Sequence, residues 1–512
     1  MRPIHGGSPI SMAVQTRVKE AVQGSDVVAA LRSPKRLKTE SLAGLVVALA
    51  LIPEAISFSI IAGVDPRVGL FASFTMAVTI AIVGGRPAMI SAATGAIALV
   101  VAPISREYGL DYLLATVILA GILQVVLSAL GVAKLMRFIP RSVMVGFVNA
   151  LAILIFLAQL PHMTDVPWLV YPMIAAGLVI MVGLPKLSNA VPAPLVAIVL
   201  LTAITMAFGL GVPNVGDEGE LPSTLPQWLI PDVPYNLDTL KLIAPYAIAM
   251  ALVGLLESLM TAKLVDDITD THSDKTREGW GQGVANVITG FFGGMGGCAM
   301  IGQTMINVKS SGARTRISTF LAGLFLLILV VGLGDLVAQI PMAALVAVMV
   351  MVAVGTFDWH SIAPATLRRM PRSETAVMIV TVAITVATHN LAYGVIGGVI
   401  VATLLFVRRV AHFTEVTPTA SDNAGTRTYR VRGELFFASS NDLVYQFDYV
   451  DDPEHVIIDL SDTHVWDAST VAALDAIETK YRNKGKTVEF IGLNPASAER
   501  HGRLSGHLGG EH

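Results

Sequence analysis

Residues 41–62 read SLAGLVVALALIPEAISFSIIA, an apolar run interrupted by a single charge, Glu54. A helix crosses a bilayer with about 20 apolar residues, so a run of this length either spans a membrane or is buried whole. Composition decides between the two. Of 512 residues, 54% are hydrophobic and only 14% charged, against about 25% charged in soluble domains. The chain is therefore expected to be a polytopic membrane protein. A carboxylate at the centre of a span costs roughly 2.5–3.5 kcal/mol, and Pro53 beside it removes a backbone hydrogen bond. Both are tolerated at membrane depth where they line a cavity or a protein interior. Glu54 is read as part of a site on a transport pathway; the alternative is a structural Glu54 bonded to backbone that Pro53 frees.

The net charge of −3 is too small to imply a nucleic-acid partner. Cys298 is the sole cysteine, so no internal disulfide can form. Residues 1–38 are polar and basic, without the short apolar core and cleavage site of a signal peptide. No nucleophile–base pair or cofactor motif points to an enzyme. His162, His360 and His389 lie at span ends without paired ligand spacing, so neither a metal nor another cofactor is expected.

Fourteen apolar stretches follow one another between residues 41 and 407. Those near 88–104, 280–292 and 303–308 are short or broken by glycine. With the N-terminus in the cytoplasm and the sides alternating, the inside segments hold 23 Lys and Arg and the outside segments 3, and the rest lie beyond residue 424. That asymmetry obeys the positive-inside rule and puts both termini in the cytoplasm. Trp168, Trp228 and Trp359 suit interface positions. The loop over 212–238 reads as an ordinary solvated connection, and so does DDITDTHSDKTREG, as a turn with helix caps.

The membrane part, 39–411, divides into halves of nearly equal length, 40–211 and 239–410. Seven spans each is an odd number, so the halves have opposite topology. Inverted repeats place the substrate between them near mid-membrane, at broken helices. Glu54 in the first span then matches Glu257 in the eighth, and the Thr94–Gly95 break in the third matches Gly302–Gln303 in the tenth. Small residues at 91–96, and glycines 293, 294, 296 and 297, predict two half-helices. Their N-termini offer free N–H groups and partial positive charge to an anion; the alternative is glycines that only permit close packing.

Composition shifts after about residue 411. A linker over 412–423 is followed by a tail, 424–512, that alternates strands (429–431, 434–438, 456–460, 487–492) with helices (441–448, 469–483), and a short helix ends it. Such alternation predicts a small α/β domain.

The stretches PEAISFSIIAGVDPRVGLFASF, GGRPAMISAATGAIAL, REGWGQGVANVITGFFGG and INVKSSGARTRIS resemble the sulfate permease family (SulP, solute carrier family 26) in its bacterial form. The tail resembles that family's cytoplasmic STAS domain (sulfate transporter and anti-sigma factor antagonist). The resemblance implies seven-plus-seven inverted repeats, a core that moves against a gate, a homodimer in the inner membrane, and a small anion as substrate. It places the site at Glu54 and Phe58 of the first span, Thr94, Gly95 and Ala96 of the third, and Met300, Ile301, Gly302 and Gln303 of the tenth. Glu257 and Thr261 of the eighth occupy the position for a coupling ion. Partners are the anion, membrane lipid and, through the STAS domain, a cytoplasmic protein.

The chain departs from the family pattern in three places. Gln303 stands where many members carry a basic residue, and Glu54 where many carry Gln. An ionised Glu54 repels an anion, so anion and proton binding should favour each other. In the tail, Ala468 occupies the position of the phosphorylated serine of anti-sigma antagonists, with Ser469 next, which argues against a phosphoswitch there. These features predict secondary active, proton-coupled symport of an anion of the carboxylate or dicarboxylate, sulfate or bicarbonate class. The alternatives are sodium coupling or exchange and, in another class, a channel-like protein or a sensor.

Overall fold

The computed structural model describes residues 27–132, 139–187, 192–411, 414–419 and 425–507. It consists of two compact units, Met1–Gly398 and Val399–His512. Each of the fourteen apolar stretches carries a helical segment: α1 Pro34–Ala62, α2 Pro66–Val83, α3 Gly95–Tyr108, α4 Leu110–Ala129, α5 Arg141–Leu157, α6 Val170–Leu187, α7 Ala193–Phe208, α8 Leu237–Thr269, α9 Lys275–Phe291, α10 Ile301–Met305, α11 Arg316–Gly332, α12 Met342–Thr356, α13 Arg372–Thr388 and α14 Leu391–Ala411. The short α10 runs on into one π turn, Ile306–Ser310. Among the described residues, six segments, including α1 and α8, are long and apolar enough to cross a membrane. Two-residue strands, β1 Ser91–Ala92 and β2 Cys298–Ala299, precede α3 and α10.

Packing divides the first unit into two groups. In one, α1 lies against α3 and α11, α2 against α9 and α11, and α4 against α8 and α9; in the other, α5 lies against α12 and α13, and α6 against α7 and α12. Exchanging each helix with the one seven places later maps several of these contacts onto each other: α2–α11 becomes α9–α4, α1–α11 becomes α8–α4, and α5–α13 becomes α12–α6. This is the contact pattern of a seven-plus-seven repeat. Glycines permit the closest crossings. A Cβ on Gly121 of α4 would sit 2.6 Å from the Gly283 carbonyl of α9, and one on Gly283 equally close to that of Gly121. At the axis of the repeat β1 and β2 pair antiparallel, Ser91 with Ala299 and Ala92 with Cys298.

Two loops differ from expectation. The 212–238 segment is not a plain solvated connection: Val215 and Val233 are buried, and the Leu229 N–H donates to the Phe291 carbonyl (2.8 Å). In DDITDTHSDKTREG, Asp274 does cap α9, accepting from the Arg277 N–H. Asp266, however, is buried between Arg86 (2.9 Å) and Lys275 (2.5 Å). Glu278 is fully buried and accepts from the N–H groups of Gly85 and Arg86 (2.8 and 2.9 Å). Both acids find buried donors that lie far away in sequence.

The second unit is a four-stranded sheet in the order β3-β4-β5-β6, formed by β3 Glu415–Thr419, β4 Thr426–Leu435, β5 His455–Val465 and β6 Thr487–Ile491. Only the β3–β4 pair is antiparallel. Helices α15 Phe437–Leu443, α16 Ala468–Arg482 and α17 Pro495–Leu504 accompany it. The stretch read as linker thus contains the edge strand β3. Residues 437–438, read as strand, open α15 instead, because Ser439 and Ser440 bond back to Phe436 and stop the ladder. Asp467 caps α16, accepting from the Thr470 N–H. The buried Asp452 accepts from the hydroxyls of Tyr429 (2.9 Å) and Tyr481 (2.5 Å). Burial raises the pKa of Tyr481 and pushes that of Tyr449 up to about 12.

Candidate substrate site

The site is built on α9. Its polar residues Glu278, Gln282, Asn286 and Thr289 recur at spacings of about four and so fall on one face. Gln282 donates to Ser91 Oγ of β1 (2.6 Å). The Asn286 amide donates to the Gly297 carbonyl and accepts from its N–H (3.0 and 2.9 Å). Thr289 bonds Thr75 of α2 (2.7 Å). This stripe fixes the extended segments that lead into both half-helices. Gly297 must be glycine, since a Cβ there would collide with the Ala92 carbonyl across the pair. On the far side, the Met300 N–H donates to the Ile90 carbonyl (2.8 Å) and Thr304 Oγ1 accepts from the Ile90 N–H (3.0 Å).

The half-helices begin at Gly95 and Ile301 and leave their first N–H groups without intrahelical partners. Both open onto one cavity of about 380 Å³. Its walls include Glu54 and Phe58 from α1, Thr94 and Gly95 at the start of α3, Glu257 from α8, and Met300, Ile301, Gly302 and Gln303 at the start of α10. Of the positions predicted from sequence, Ala96 and Thr261 alone do not line it. Ala96 is buried behind Gly95, and Thr261 is buried one turn beyond Glu257, its hydroxyl donating to the Glu257 carbonyl (2.8 Å).

Glu54 and Glu257 are 9% and 8% exposed, so neither charge is solvated. Gln303 is a neighbour of Glu54 in the lining, and among the described residues Glu54 makes no hydrogen bond to the backbone of α1. Glu257 Oε2 accepts from Cys298 Sγ (2.9 Å). Among the described residues the lining contains no Lys, Arg or His, and no cluster of His, Cys, Asp and Glu is arranged to hold a metal.

The opposite wall was not predicted. Phe147, Val148, Leu151 and Ile155 of α5, with Val352, Gly355 and Thr356 of α12, close the cavity, which therefore lies between the two helix groups. These are ordinary apolar residues, and no sequence signal separates them from core. Cys298 was also missed. The α9 stripe was legible in principle, as polar residues at helical spacing within an apolar segment.

The chain matches the profile of the Sulfate permease family over residues 37–173 and 162–381, and that of the STAS domain over 417–506. It is 54% identical over 461 residues to the Putative sulfate transporter YbaR of Bacillus subtilis (strain 168), covering 90% of this chain and 95% of that protein. It is 24% identical over 518 residues to the Bicarbonate transporter BicA of Picosynechococcus sp., covering 90% and 89%. Among solved structures, the transmembrane domain of a cyanobacterium bicarbonate transporter BicA aligns with TM-score 0.63 over 72% of this chain and 97% of that one, at 24% identity. The overall structure of SLC26A9 aligns with TM-score 0.78 over 98% and 94%, at 17% identity. These two likenesses establish the fold.

Proposed function

Since the chain belongs to the sulfate permease family of multi-pass anion transporters and ends in a STAS domain, we propose that it is a secondary active, proton-coupled anion symporter working by alternating access. The observation that carries this reading is one cavity bounded by two buried carboxylates and the starts of both half-helices, with no cationic side chain in its lining among the described residues. An anion entering there is attracted by helix N–H groups and repelled by each ionised carboxylate. Protons on Glu54 and Glu257 remove that repulsion, so proton and anion travel together. Gln303 contributes amide donors without a charge, which favours carboxylates and bicarbonate alongside sulfate. Thr261 stands outside the cavity, so a sodium site at Glu257 would have few protein ligands; this supports protons over sodium. The lysine and arginine asymmetry supports an inner-membrane protein with both termini cytoplasmic. The homodimer and a cytoplasmic partner for the STAS domain rest on the family resemblance.

The test is uptake of radiolabelled sulfate, bicarbonate and succinate into proteoliposomes at two external pH values. An inward proton gradient should drive accumulation, and Glu54→Gln should lower it by one proton's contribution, about tenfold per pH unit. Accumulation indifferent to the gradient, or unchanged in Glu54→Gln, would end the proposal.

A further inference from the structure

Cys298 joins the two halves of the site. It is fully buried, with Sγ 2.9 Å from Glu257 Oε2 and 3.2 Å from Thr94 Oγ1. Thr94 caps α3, accepting from the Ile97 N–H (3.3 Å), and lines the cavity. Resting on the reading of Glu257 as a coupling carboxylate, we propose that Cys298 is a positioning residue that converts protonation of Glu257 into an added hydrogen-bond donor for the anion, the Thr94 hydroxyl.

A thiol has one hydrogen, and an ionised carboxylate only accepts. With Glu257 ionised, the thiol proton goes to Oε2, and the Thr94 hydroxyl donates to sulfur. A proton added to Glu257 reverses the chain. The carboxyl O–H now donates to Sγ, and the S–H turns to Thr94 Oγ1, which has a second lone pair beside the one used by Ile97. The Thr94 O–H then turns into the cavity. One proton enters at Glu257, and every other change is a rotation. Few competing groups face this chain. Glu54 lines another part of the cavity, with Gln303. From α4, Gln124 lies against α8 at Gly254, and α3 presents Ile97 there. On α9, Glu278 is held by the N–H groups of Gly85 and Arg86. No Lys or Arg lines the cavity among the described residues.

The single cysteine makes the test direct, because the infrared S–H band reports one group in a spectral window free of other protein vibrations. In the intact, substrate-free protein, lowering pH from about 9 to about 4 should move the band to higher frequency, as the thiol exchanges a carboxylate acceptor for a hydroxyl. Glu257→Gln, whose amide donates to sulfur, should show the low-pH band throughout. A band that does not move overturns the proposal, as does a Glu257→Gln band that still follows pH. In transport, the KM for radiolabelled sulfate should fall as pH is lowered, and by about tenfold more than relief of charge repulsion alone provides, the worth of one hydrogen bond. Cys298→Ala should lose that extra tenfold and keep the rest, and Cys298→Ser restore it; a Cys298→Ala variant with the full dependence refutes the relay. The band is read without transport, so it decides this inference even if Glu54→Gln disproves the proposed symport.

Discussion

Asn286→Ala tests whether the α9 stripe holds the tenth segment in place. The side chain makes three buried hydrogen bonds, to Gln124 Oε1 at 2.9 Å, to the Gly297 carbonyl at 3.0 Å and from the Gly297 N–H at 2.9 Å. Asn286 and Gln124 are fully buried, so water cannot replace the lost partner. Each stranded group costs about 1–3 kcal/mol. The bond Gln124 keeps, from Nε2 to the Ala251 carbonyl at 3.5 Å, uses the other amide atom, so Oε1 is left without a donor. The two Gly297 groups act as a unit and do not add fully. The expected loss is about 3–5 kcal/mol, a large part of a margin of roughly 5–15 kcal/mol. The assay is denaturant unfolding of purified protein in detergent, paired with uptake in proteoliposomes. Uptake should fall more than the folded fraction does, because Gly297 leads directly into β2 and α10. Asn286→Asp should do no better, since its second oxygen would face two acceptors. A loss below about 0.5 kcal/mol for Asn286→Ala, in the range of neutral surface changes, would refute the anchoring argument.

A bulky residue at Gly95 should abolish uptake while leaving the fold intact: its Cβ would stand 2.9 Å from Phe58 and 3.1 Å from Ile155, so Gly95→Val, checked by uptake and by size-exclusion profile, fills the cavity. Glu40→Ala removes the acceptor of the Arg314, Thr315 and Ser318 N–H groups at the start of α11 (2.8, 3.1 and 3.3 Å), and should cost about 1–2 kcal/mol in denaturant unfolding, as loss of a helix cap does. In the STAS domain the fold favours the protonated phenols of Tyr449 and Tyr481. Their stabilisation is whole below the ordinary tyrosine value of about 10 and is lost as pH rises through about 12 for Tyr449 and higher still for Tyr481. An alkaline titration by tyrosinate absorbance should show both ionising late, together with domain unfolding; ionisation of both near the ordinary value would contradict this.

The parts of the fold that were legible in sequence are those where one residue type meets a hard constraint. A charge or a glycine run inside an apolar span has few tolerated explanations, so Glu54, Glu257 and the breaks at 94–95 and 302–303 led to one cavity. The α5 and α12 wall left no such mark, because Phe147, Leu151 and Ile155 are interchangeable with core residues until packing places them. Glu278 and Asp266 were misread as solvated, since a charge run beside Gly and Thr looks the same whether its partner is water or Arg86. Cys298 carried no signal, since a lone cysteine acquires meaning only from neighbours 41 and 204 residues away in sequence.

Under the proposed symport, the two carboxylates also set a coupling ratio that can be measured. An anion about 5 Å from one ionised carboxylate is repelled by about 3 kcal/mol at an effective dielectric constant near 20, about a hundredfold in affinity, and Glu54 and Glu257 each impose such a cost. Neutralising only one leaves the other opposing the anion, so the well-occupied state carries two protons. With the membrane potential clamped to zero, each co-transported proton sustains about tenfold accumulation per pH unit, and two sustain about a hundredfold. Glu54→Gln and Glu257→Gln should each reduce the limit to about tenfold, and the double variant should only equilibrate the anion. A double variant that still accumulates would mean the protons ride elsewhere. A single variant that retains the wild-type limit would mean its carboxylate is a fixed part of the wall rather than a carrier of charge.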